Sequence, residues 1–368
     1  MDYRRIVVKL GTSTLTAGAS KLSTPRLEEL VRQMAALHAA GAELALVTSG
    51  AMAAGRAQLG FPTLPKDIPA KQMLAAVGQP RLMALYEQLF SLYGITVAQV
   101  LLTRADLSDR RRYLNSRNTL AALLAQRVLP IINENDTVAT EEIRLGDNDN
   151  LSALVANLIE ADLLALLTDQ PGLFTADPRR DPHASLVEEV SGPEIPERLW
   201  QAAGAAGSRL GTGGMLTKLQ AADLARRSGA TVVIAQGGEA KVLTRLSSGE
   251  RLGTRFLPIA TALEGRKRFL LAGWQSAGSL KVDQGAAHAL RNGSSLLPVG
   301  VKSVAGSFER GDTVRVLESS EREIALGLVN YAADDLRRLC GQQSTQIETI
   351  LGYAYGDEVI HRNNMVLL

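Results

Sequence analysis

Short apolar runs alternate with longer amphipathic segments over the first 257 residues of the chain. Apolar runs bounded by turn residues predict buried strands, and apolar residues spaced three and four apart predict helices. Because the strands are continuously apolar, the pattern predicts a mostly parallel sheet with helices on both faces. The predicted strands are 6–8, 44–48, 96–102, 129–133, 163–168 and 231–235. The predicted helices are one from Pro25 to Gly41, and others at 115–127, 151–160 and 217–228.

The pattern changes near residue 257, where a charged stretch precedes a glycine-rich region. Segments 279–282 and 313–317 alternate between apolar and polar residues, as half-buried strands do. One short helix is predicted at 285–290. We therefore expect a large α/β domain at 1–257, a linker at 258–275 and a small, mainly β domain at 276–368.

Length and composition agree with a soluble protein of two domains. The chain has 368 residues, of which 46% are hydrophobic and 21% are charged. That length is better suited to two domains than to one. The formal net charge of +2 is too balanced to indicate a nucleic-acid-binding protein on electrostatic grounds alone.

Three features favour a cytoplasmic location. The single cysteine, Cys340, excludes an intrachain disulfide and a cysteine-based zinc cluster, and it fits a reducing compartment. The first glycine-rich motif begins at Lys9, which leaves too few residues before it for a signal peptide. The longest apolar candidate, 151–168, is interrupted by Asn157, Glu160 and Asp162, so no membrane span is expected.

Two small-residue motifs follow predicted strands. Lys9 leads into Gly-Thr-Ser at 11–13, where one ammonium and several backbone N–H groups could surround a phosphate. A plain surface turn would explain the same residues. The segment 48–51 (Thr-Ser-Gly-Ala) could admit a ligand carboxylate to a helix N-terminus, or could serve only close packing.

Carboxylates and amides cluster at 133–137 and at 146–150, where five residues read Gly-Asp-Asn-Asp-Asn. Such clusters supply anions for a ligand amine and amides for its carboxylate, although Asn and Asp also favour plain turns. Another strand is predicted to end in Thr168-Asp169, where the aspartate could simply cap a turn.

A further glycine-rich motif, 211–218, enters the helix predicted at 217–228 and contains Lys218. It matches neither the Walker A spacing nor the dinucleotide fingerprint. Free backbone N–H groups beside a lysine could still face phosphates, and a flexible loop is the alternative.

The order of these motifs is more specific than any one of them. The series KLGTS, VTSGA, NENDTV, GDNDNLSA, LLTD, GLFTADPR and GTGGMLTK resembles the amino acid kinase family. The longer segments VTSGAMAAGR, KQMLAAVGQP, INENDTVAT and GTGGMLTKLQAAD strengthen the likeness. Later, GSSLLPVGVKSVAG and ERGDTVRV resemble a PUA domain. The resemblance implies a three-layer α/β/α kinase domain followed by a small β barrel.

Within this family, the particular residues of the motifs resemble those of members that act on glutamate. The resemblance therefore implies ATP-dependent phosphorylation of the side-chain carboxylate of L-glutamate. The product would be L-glutamyl 5-phosphate, at the first step of proline biosynthesis, with feedback inhibition by proline. A glutamate side chain of pKa ~4.3 is ionised at neutral pH and needs no general base. Accordingly, the four histidines (38, 183, 288 and 361) lie outside the motifs.

The resemblance also implies roles for particular residues. Lys9 and Lys218 would approach the phosphates, with Asp149 holding them in place. The implied glutamate-binding residues are Ser49, Gly50, Asn133, Asp136 and Asn148. The implied ATP-binding residues are Lys9, Gly11, Thr168, Asp169, Thr212, Gly213, Gly214, Met215, Leu216, Thr217 and Lys218. Mg²⁺ would be held mainly by phosphates and water, so no protein ligands to it are named.

Other functions remain as alternatives. A kinase of the same family acting on N-acetylglutamate, aspartate or a nucleoside monophosphate would share the phosphate loops. A dehydrogenase would need a G-x-G-x-x-G turn, which is missing after the first strand. Strong RNA binding by the second domain is not expected, since 275–368 contain nine Lys and Arg against eleven Asp and Glu. The family resemblance implies a homo-oligomer, either a dimer or a tetramer.

Overall fold

The computed structural model of the chain describes residues 2–65, 67–139, 148–205, 214–259 and 276–368. The chain divides into two compact units. The first comprises residues 1–108 and 115–262, and the second comprises residues 109–114 and 263–368. Most of the expected linker, 260–275, lies outside the described residues.

The first unit is built on an eight-stranded sheet with the order β3-β4-β2-β1-β5-β7-β8-β6. Each predicted strand is present, with bounds that differ by two residues at most. The strands are β1 (Arg5–Leu10), β2 (Glu43–Thr48), β3 (Val97–Leu102), β4 (Leu129–Glu134), β5 (Leu163–Thr168), β6 (Glu189–Val190), β7 (Thr231–Gln236) and β8 (Thr254–Phe256).

The sheet is mostly parallel, as predicted. Strands β1 to β5 and β7 pair in parallel. The short strand β8 pairs antiparallel with β7, and β6 pairs parallel with β8. The sequence pattern did not predict this reversed edge, because strands of two and three residues are too short to show a periodicity.

Helices connect the strands of this sheet. They are α1 (Thr12–Thr16), α2 (Thr24–Ala39), α3 (Ala51–Gln58), α4 (Ile68–Ser91), α5 (Arg104–Ser108), α6 (Arg110–Ala125), α7 (Asn148–Leu158), α8 (Glu197–Ala205), α9 (Met215–Arg227) and α10 (Val242–Ser247). The three helices expected at 115–127, 151–160 and 217–228 all begin earlier than predicted. The turn expected at 11–13 is instead the start of α1.

The early start of α7 changes the interpretation of the 146–150 motif. Asn148, Asp149 and Asn150 belong to the first turn of the helix rather than to a turn before it. An acidic residue there is favoured, because the first turn carries the positive end of the helix dipole. Asp147 lies outside the described residues.

Strand alternation separates the core from the site along β1. Ile6, Val8 and Leu10 belong to a hydrophobic cluster with side chains of α2 and α4. Successive side chains of a strand point to opposite faces, so Lys9 points away from this cluster. Helix α7 packs on β1, and α9 packs on β7. Helices therefore form a layer on each side of the sheet.

Helices α3 and α4 approach each other backbone to backbone at two glycines. A Cβ atom built on Gly78 would lie 1.7 Å from the carbonyl oxygen of Ala51, and one built on Gly55 would lie 1.9 Å from that of Leu74. No side chain fits at those distances. The 24-residue α4 was not predicted, although its N-cap is clear, since Asp67 accepts a hydrogen bond of 2.9 Å from the Ala70 N–H.

The second unit contains a five-stranded mixed sheet with the order β10-β9-β11-β12-β13. Its strands are β9 (Gly278–Val282), β10 (Val301–Gly306), β11 (Thr313–Leu317), β12 (Glu323–Leu328) and β13 (Met365–Leu367). Its helices are α11 (Gln284–Arg291), α12 (Ala333–Leu339) and α13 (Ile347–Leu351). The two strands and the helix predicted for this region are confirmed. The unit has its own core, which includes Leu280, Val316 and Tyr331.

Among the helices that the structure describes, none is both long enough and apolar enough to cross a bilayer.

The glycine contact between α3 and α4 leads to a stability prediction. Gly78→Ala should lower the free energy of unfolding by ~1–3 kcal/mol, because the added methyl group must push two helix backbones apart. Urea denaturation followed by circular dichroism measures the change. Gly204→Ala, on α8, is the matched control, since a Cβ atom there meets nothing within 4 Å. Equal stability of the two variants would contradict the prediction.

Candidate active site

The carboxyl ends of the central parallel strands form one edge where most of the predicted site residues meet. Strand β1 lies between β2 and β5, and β4 lies beyond β2. Leu10 at the end of β1 is in register with Thr48 of β2 and with Leu167 of β5. The chain continues from β1 to β2 on one side, whereas β5 pairs with β1 on the other. The strand order therefore switches direction at β1, and α/β sheets open a crevice for ligands at such a point.

A buried cluster of three charged side chains lies at this edge. The Asp149 carboxylate is 2.6 Å from the Lys9 Nζ atom and 3.2 Å from the Lys218 Nζ atom. The hydroxyl of Thr217 donates a hydrogen bond of 2.7 Å to the same carboxylate. Asp149 is fully buried, and the two lysine side chains are 5% and 7% exposed. The three elements β1, α7 and α9 thus meet through one carboxylate.

Electrostatics keep this carboxylate ionised. Burial alone would raise the pKa of Asp149, but the charges of Lys9 and Lys218 outweigh it and hold the pKa well below its usual range. Among the described residues, two ammonium groups of this cluster pair with one carboxylate, which is an excess of one positive charge. A buried excess of that sign attracts a phosphate group more strongly than a solvated lysine would.

A line of side-chain amides extends from this cluster. The Asn148 Nδ2 atom donates toward the Thr48 carbonyl oxygen at 2.8 Å, and toward Ser49 Oγ and Asn133 Oδ1 at 3.0 Å each. The Nδ2 atom of Asn133 donates to Gln79 Oε1 at 2.8 Å. Asn148 and Asn133, which are fifteen residues apart in the chain, therefore occupy one buried network.

The amide donors of Asn148 are directed at protein acceptors. Its expected role as a direct donor to a ligand carboxylate stays a prediction. The contact has a consequence for Ser49, because a hydroxyl that accepts a hydrogen bond keeps its own proton to donate. Ser49 precedes Gly50, whose φ of 100° is left-handed and favours glycine. This bend brings the chain from β2 directly into α3.

Asp136 lies in the turn that follows β4. Burial raises the pKa of its carboxyl group to about 6. The turn is held at its start, where the Asn135 N–H donates to the Leu102 carbonyl at 3.0 Å. A desolvated carboxylate binds an ammonium group more strongly than an exposed one does, so this residue is suited to a ligand amine.

The residues expected on the nucleotide side lie at two places. At the end of β5, the hydroxyl of Thr168 donates to the exposed Asp169 carboxylate at 3.0 Å. Gly214 caps α9, which begins with Met215, the half-exposed Leu216 and Thr217. Thr212 and Gly213 lie outside the described residues.

Gly11 lies directly above the lysine cluster. A Cβ atom built on Gly11 would lie 3.5 Å from the Lys9 Nζ atom, which is an ordinary van der Waals contact, so the glycine borders the ammonium group. The absence of a side chain here leaves room for a ligand beside Lys9.

A cavity of about 770 Å³ opens beside this site, and Thr168 and Asp169 are among its lining residues. Its wall also carries three cationic side chains that the sequence analysis did not single out: Arg26, Arg56 and Lys71. Two of them stand inside quoted motifs, VTSGAMAAGR and KQMLAAVGQP, but without the fold nothing showed that they face the same cavity.

A profile of the amino acid kinase family matches residues 4–236, and a profile of the PUA domain matches residues 278–351. The chain belongs to the amino acid kinase family. The kinase-family match spans strands β1 to β7, the lysine cluster and the amide network, and the PUA match lies within the second unit. The fold expected for both parts is confirmed.

Curated members of the family are similar over the full chain. A glutamate 5-kinase of Deinococcus radiodurans is 55% identical and covers 99% of this chain and 100% of its own length. A glutamate 5-kinase of Cronobacter sakazakii is 56% identical, covering 99% of both chains. Among solved structures, UMP kinase of Bacillus anthracis has 16% identity and a TM-score of 0.46, and covers 71% of this chain and 98% of its own.

Removing the central charge of the cluster should destabilise the fold. Asp149→Asn keeps the shape of the side chain but leaves two buried ammonium groups without a counter-charge, so we expect a loss of ~3 kcal/mol in the free energy of unfolding. Urea denaturation at neutral pH gives this value. Glu318→Gln, which breaks an exposed ion pair with Arg291, is the control and should change little. A loss of stability no larger than that of the control would show that Asp149 is not the counter-charge of the two buried ammonium groups.

Proposed function

We propose that this protein phosphorylates the side-chain carboxylate of L-glutamate with ATP and releases L-glutamyl 5-phosphate and ADP. The observation that carries the proposal is the buried cluster of Lys9, Asp149 and Lys218 beside the amide network. Its excess positive charge suits a phosphoryl group, and its neighbours suit an amino acid. The glutamate 5-kinases that match the whole length of the chain support the same reaction.

The chemistry needs positioning and charge rather than a base. A carboxylate oxygen of glutamate attacks the γ-phosphorus, a new O–P bond forms, and the bond to the β-phosphate oxygen breaks to release ADP. Both reactants are anions, so cations must offset their repulsion. Lys9 and Lys218 supply this charge, and Asp149 holds both ammonium groups in place before substrate binds. We propose these three as the catalytic residues.

The glutamate-binding role is proposed for the residues between β2 and α7. The Asp136 carboxylate would pair with the α-ammonium of glutamate, and Ser49 would donate its hydroxyl proton to a carboxylate. The backbone at Gly50 admits the ligand near the start of α3. Asn133 and Asn148 orient Ser49 through the amide network.

The ATP-binding role is proposed for the opposite side of the cluster. Strand β5 ends at Thr168, and Thr168 and the following Asp169 line the cavity. The backbone N–H groups at the start of α9 would bind phosphates. The proposed set is Lys9, Gly11, Thr168, Asp169, Gly214, Met215, Leu216, Thr217 and Lys218, together with Thr212 and Gly213.

We propose that a magnesium ion arrives with the nucleotide. The described residues include no group of three His, Cys, Asp or Glu side chains placed to hold a metal. Magnesium keeps much of its hydration and binds phosphate oxygens well. It would supply further positive charge to the phosphates, while the lysines hold the transferring group.

Further proposals concern regulation and assembly. Proline carries the α-carboxylate and amine of glutamate, so we propose that it inhibits by competing for the glutamate site, as expected of the product of the pathway. We also propose a cytoplasmic homo-oligomer, a dimer or a tetramer. Light scattering of the purified protein measures its mass, and a monomer at micromolar concentration would rule that assembly out.

Lys9→Ala and Lys218→Ala should each lower kcat by ~10²–10³-fold, because each removes a charge that stabilises the transition state. The KM for glutamate should change far less. Trapping the acyl phosphate with hydroxylamine measures the product. Lys302→Ala, an exposed lysine of the second unit, is the control. Near-normal kcat in either site variant would show that the lysine is not catalytic.

The same hydroxamate assay identifies the substrate. Turnover should depend on L-glutamate and should be far slower with aspartate or N-acetylglutamate. N-acetylglutamate lacks the ammonium group that Asp136 is proposed to bind, and aspartate is shorter by one methylene. Equal or faster turnover with either alternative, or no turnover with glutamate, would overturn the proposed function.

The pKa of Asp136, raised to about 6, leads to a pH prediction. A bound ammonium requires the carboxylate form, so glutamate binding should weaken as the pH falls below about 6. The KM for glutamate should rise by ~tenfold per pH unit in that range, because each proton taken up opposes binding. The KM for ATP should not follow this profile. Asp136→Asn should bind weakly at every pH, and a retained profile in that variant would assign the titration to another group.

A further inference from the structure

Two glutamines of α4 contact the elements that carry the proposed glutamate-binding residues. Gln72 and Gln79 are seven residues apart, which places them on the same side of the helix. Both stand in the segment KQMLAAVGQP. Neither was assigned a role by the sequence motifs, and neither belongs to the charged cluster.

Gln79 accepts a hydrogen bond, and that contact sets the orientation of the amide network. Its Oε1 atom accepts from the Nδ2 atom of Asn133 at 2.8 Å, and its Nε2 atom donates to Gln99 at 3.0 Å. The Asn133 amide is thereby turned so that its oxygen accepts from Asn148 and from the Glu134 N–H. A reversed Asn133 would oppose two donors and lose both contacts.

Gln72 donates hydrogen bonds to the turn that carries Asp136. Its Nε2 atom donates to the carbonyl oxygens of Thr137 and Ala139 at 3.2 and 3.1 Å. Thr137 follows Asp136 directly in the chain, and Ala139 lies three residues after it. A fixed turn keeps the Asp136 carboxylate in one place, which a free turn after β4 would not do.

Helix α4 is itself held rigidly against the element that follows Ser49. Its Gly78 contacts the backbone of α3 too closely for any side chain, and its first turn is capped by Asp67. Since α3 begins one residue after Gly50, a single rigid pair of helices borders Ser49, Asn133 and the Asp136 turn.

We propose that Gln72 and Gln79 are positioning residues that set the geometry of the glutamate-binding half of the site without touching the reacting atoms. The inference rests on the proposed function, because it concerns the ligand of that half. Toward the proposed site, Gln79 accepts from Asn133 and Gln72 donates to the Asp136 turn, so the two should respond in opposite ways to the same substitution.

The first comparison uses methionine, which has a similar shape but lacks the amide. Gln79→Met and Gln72→Met should each raise the KM for glutamate about tenfold, the value of one lost hydrogen bond. The KM for ATP should stay within about twofold, because the side-chain hydrogen bonds of both glutamines to other described residues involve β3, β4 and the Asp136 turn. Gln88→Met, at an exposed position of the same helix, is the control and should match the unaltered protein.

The second comparison uses glutamate as the replacement residue. Gln79→Glu keeps an oxygen to accept from Asn133, so its KM for glutamate should return to within about threefold of normal. Gln72→Glu has no proton to donate at neutral pH, so its KM should remain high. A merely structural role would raise the KM for ATP as well and would not produce this opposite pattern. The pair stays decisive if a methionine variant fails to fold.

Steady-state kinetics of all five variants by the hydroxamate assay test the inference. Unaltered glutamate KM values in the Gln72 and Gln79 variants, or equal behaviour of Gln72→Glu and Gln79→Glu, would overturn it while leaving the proposed function intact. Failure of the unaltered protein to turn over glutamate would instead overturn the proposed function, and this inference with it.

Discussion

The shared carboxylate of Asp149 is the contact on which the active site depends. It pairs with the buried ammonium groups of Lys9 and Lys218, which are far apart in the sequence. Because all three groups are buried, loss of one charge would leave another buried charge without a counter-charge. This contact forms only when β1, the first turn of α7 and the start of α9 are correctly placed relative to one another. The same contact fixes the shape of the site and supplies its positive charge, so folding and phosphate recognition draw on one arrangement.

Most of the first unit could be predicted from its sequence, because its strands are continuously apolar and end in polar motifs. The 163–168 run was located to the residue, and the lysine cluster followed from the order of the motifs. The short edge strands β6 and β8 could not be predicted, because they have too few residues to show a hydrophobic periodicity. Helix α4 was missed because it is rich in apolar residues around its whole circumference and contains Pro80, which ordinarily interrupts a helix.

The site itself was only partly within reach of sequence. Charged residues in glycine-rich motifs are visible in a sequence, and the roles proposed for Lys9, Asp149 and Lys218 required no fold. The role of a neutral amide cannot be predicted in this way. Gln79 was not identified because its role depends on contact with Asn133, which is 54 positions away in the chain. The resemblance placed Asn148 on a ligand carboxylate, which stays a prediction, and the fold adds that its amide donors face protein oxygens. Hydrogen-bond direction is a property of geometry, which composition does not reveal.

The backbone contact at Gly55 and Gly78 has a consequence for how such a protein can diversify. The charged cluster belongs to the layer of α7 and α9, whereas Gln72 and Gln79 belong to α4 on the other side of the sheet. Ligand preference could therefore drift through changes along one helix while the phosphoryl-transfer apparatus stays constant. Gly55 and Gly78 limit such changes, because they pack α4 against α3 without free space. Side chains on the surface of α4 can be substituted, but the helix itself cannot shift.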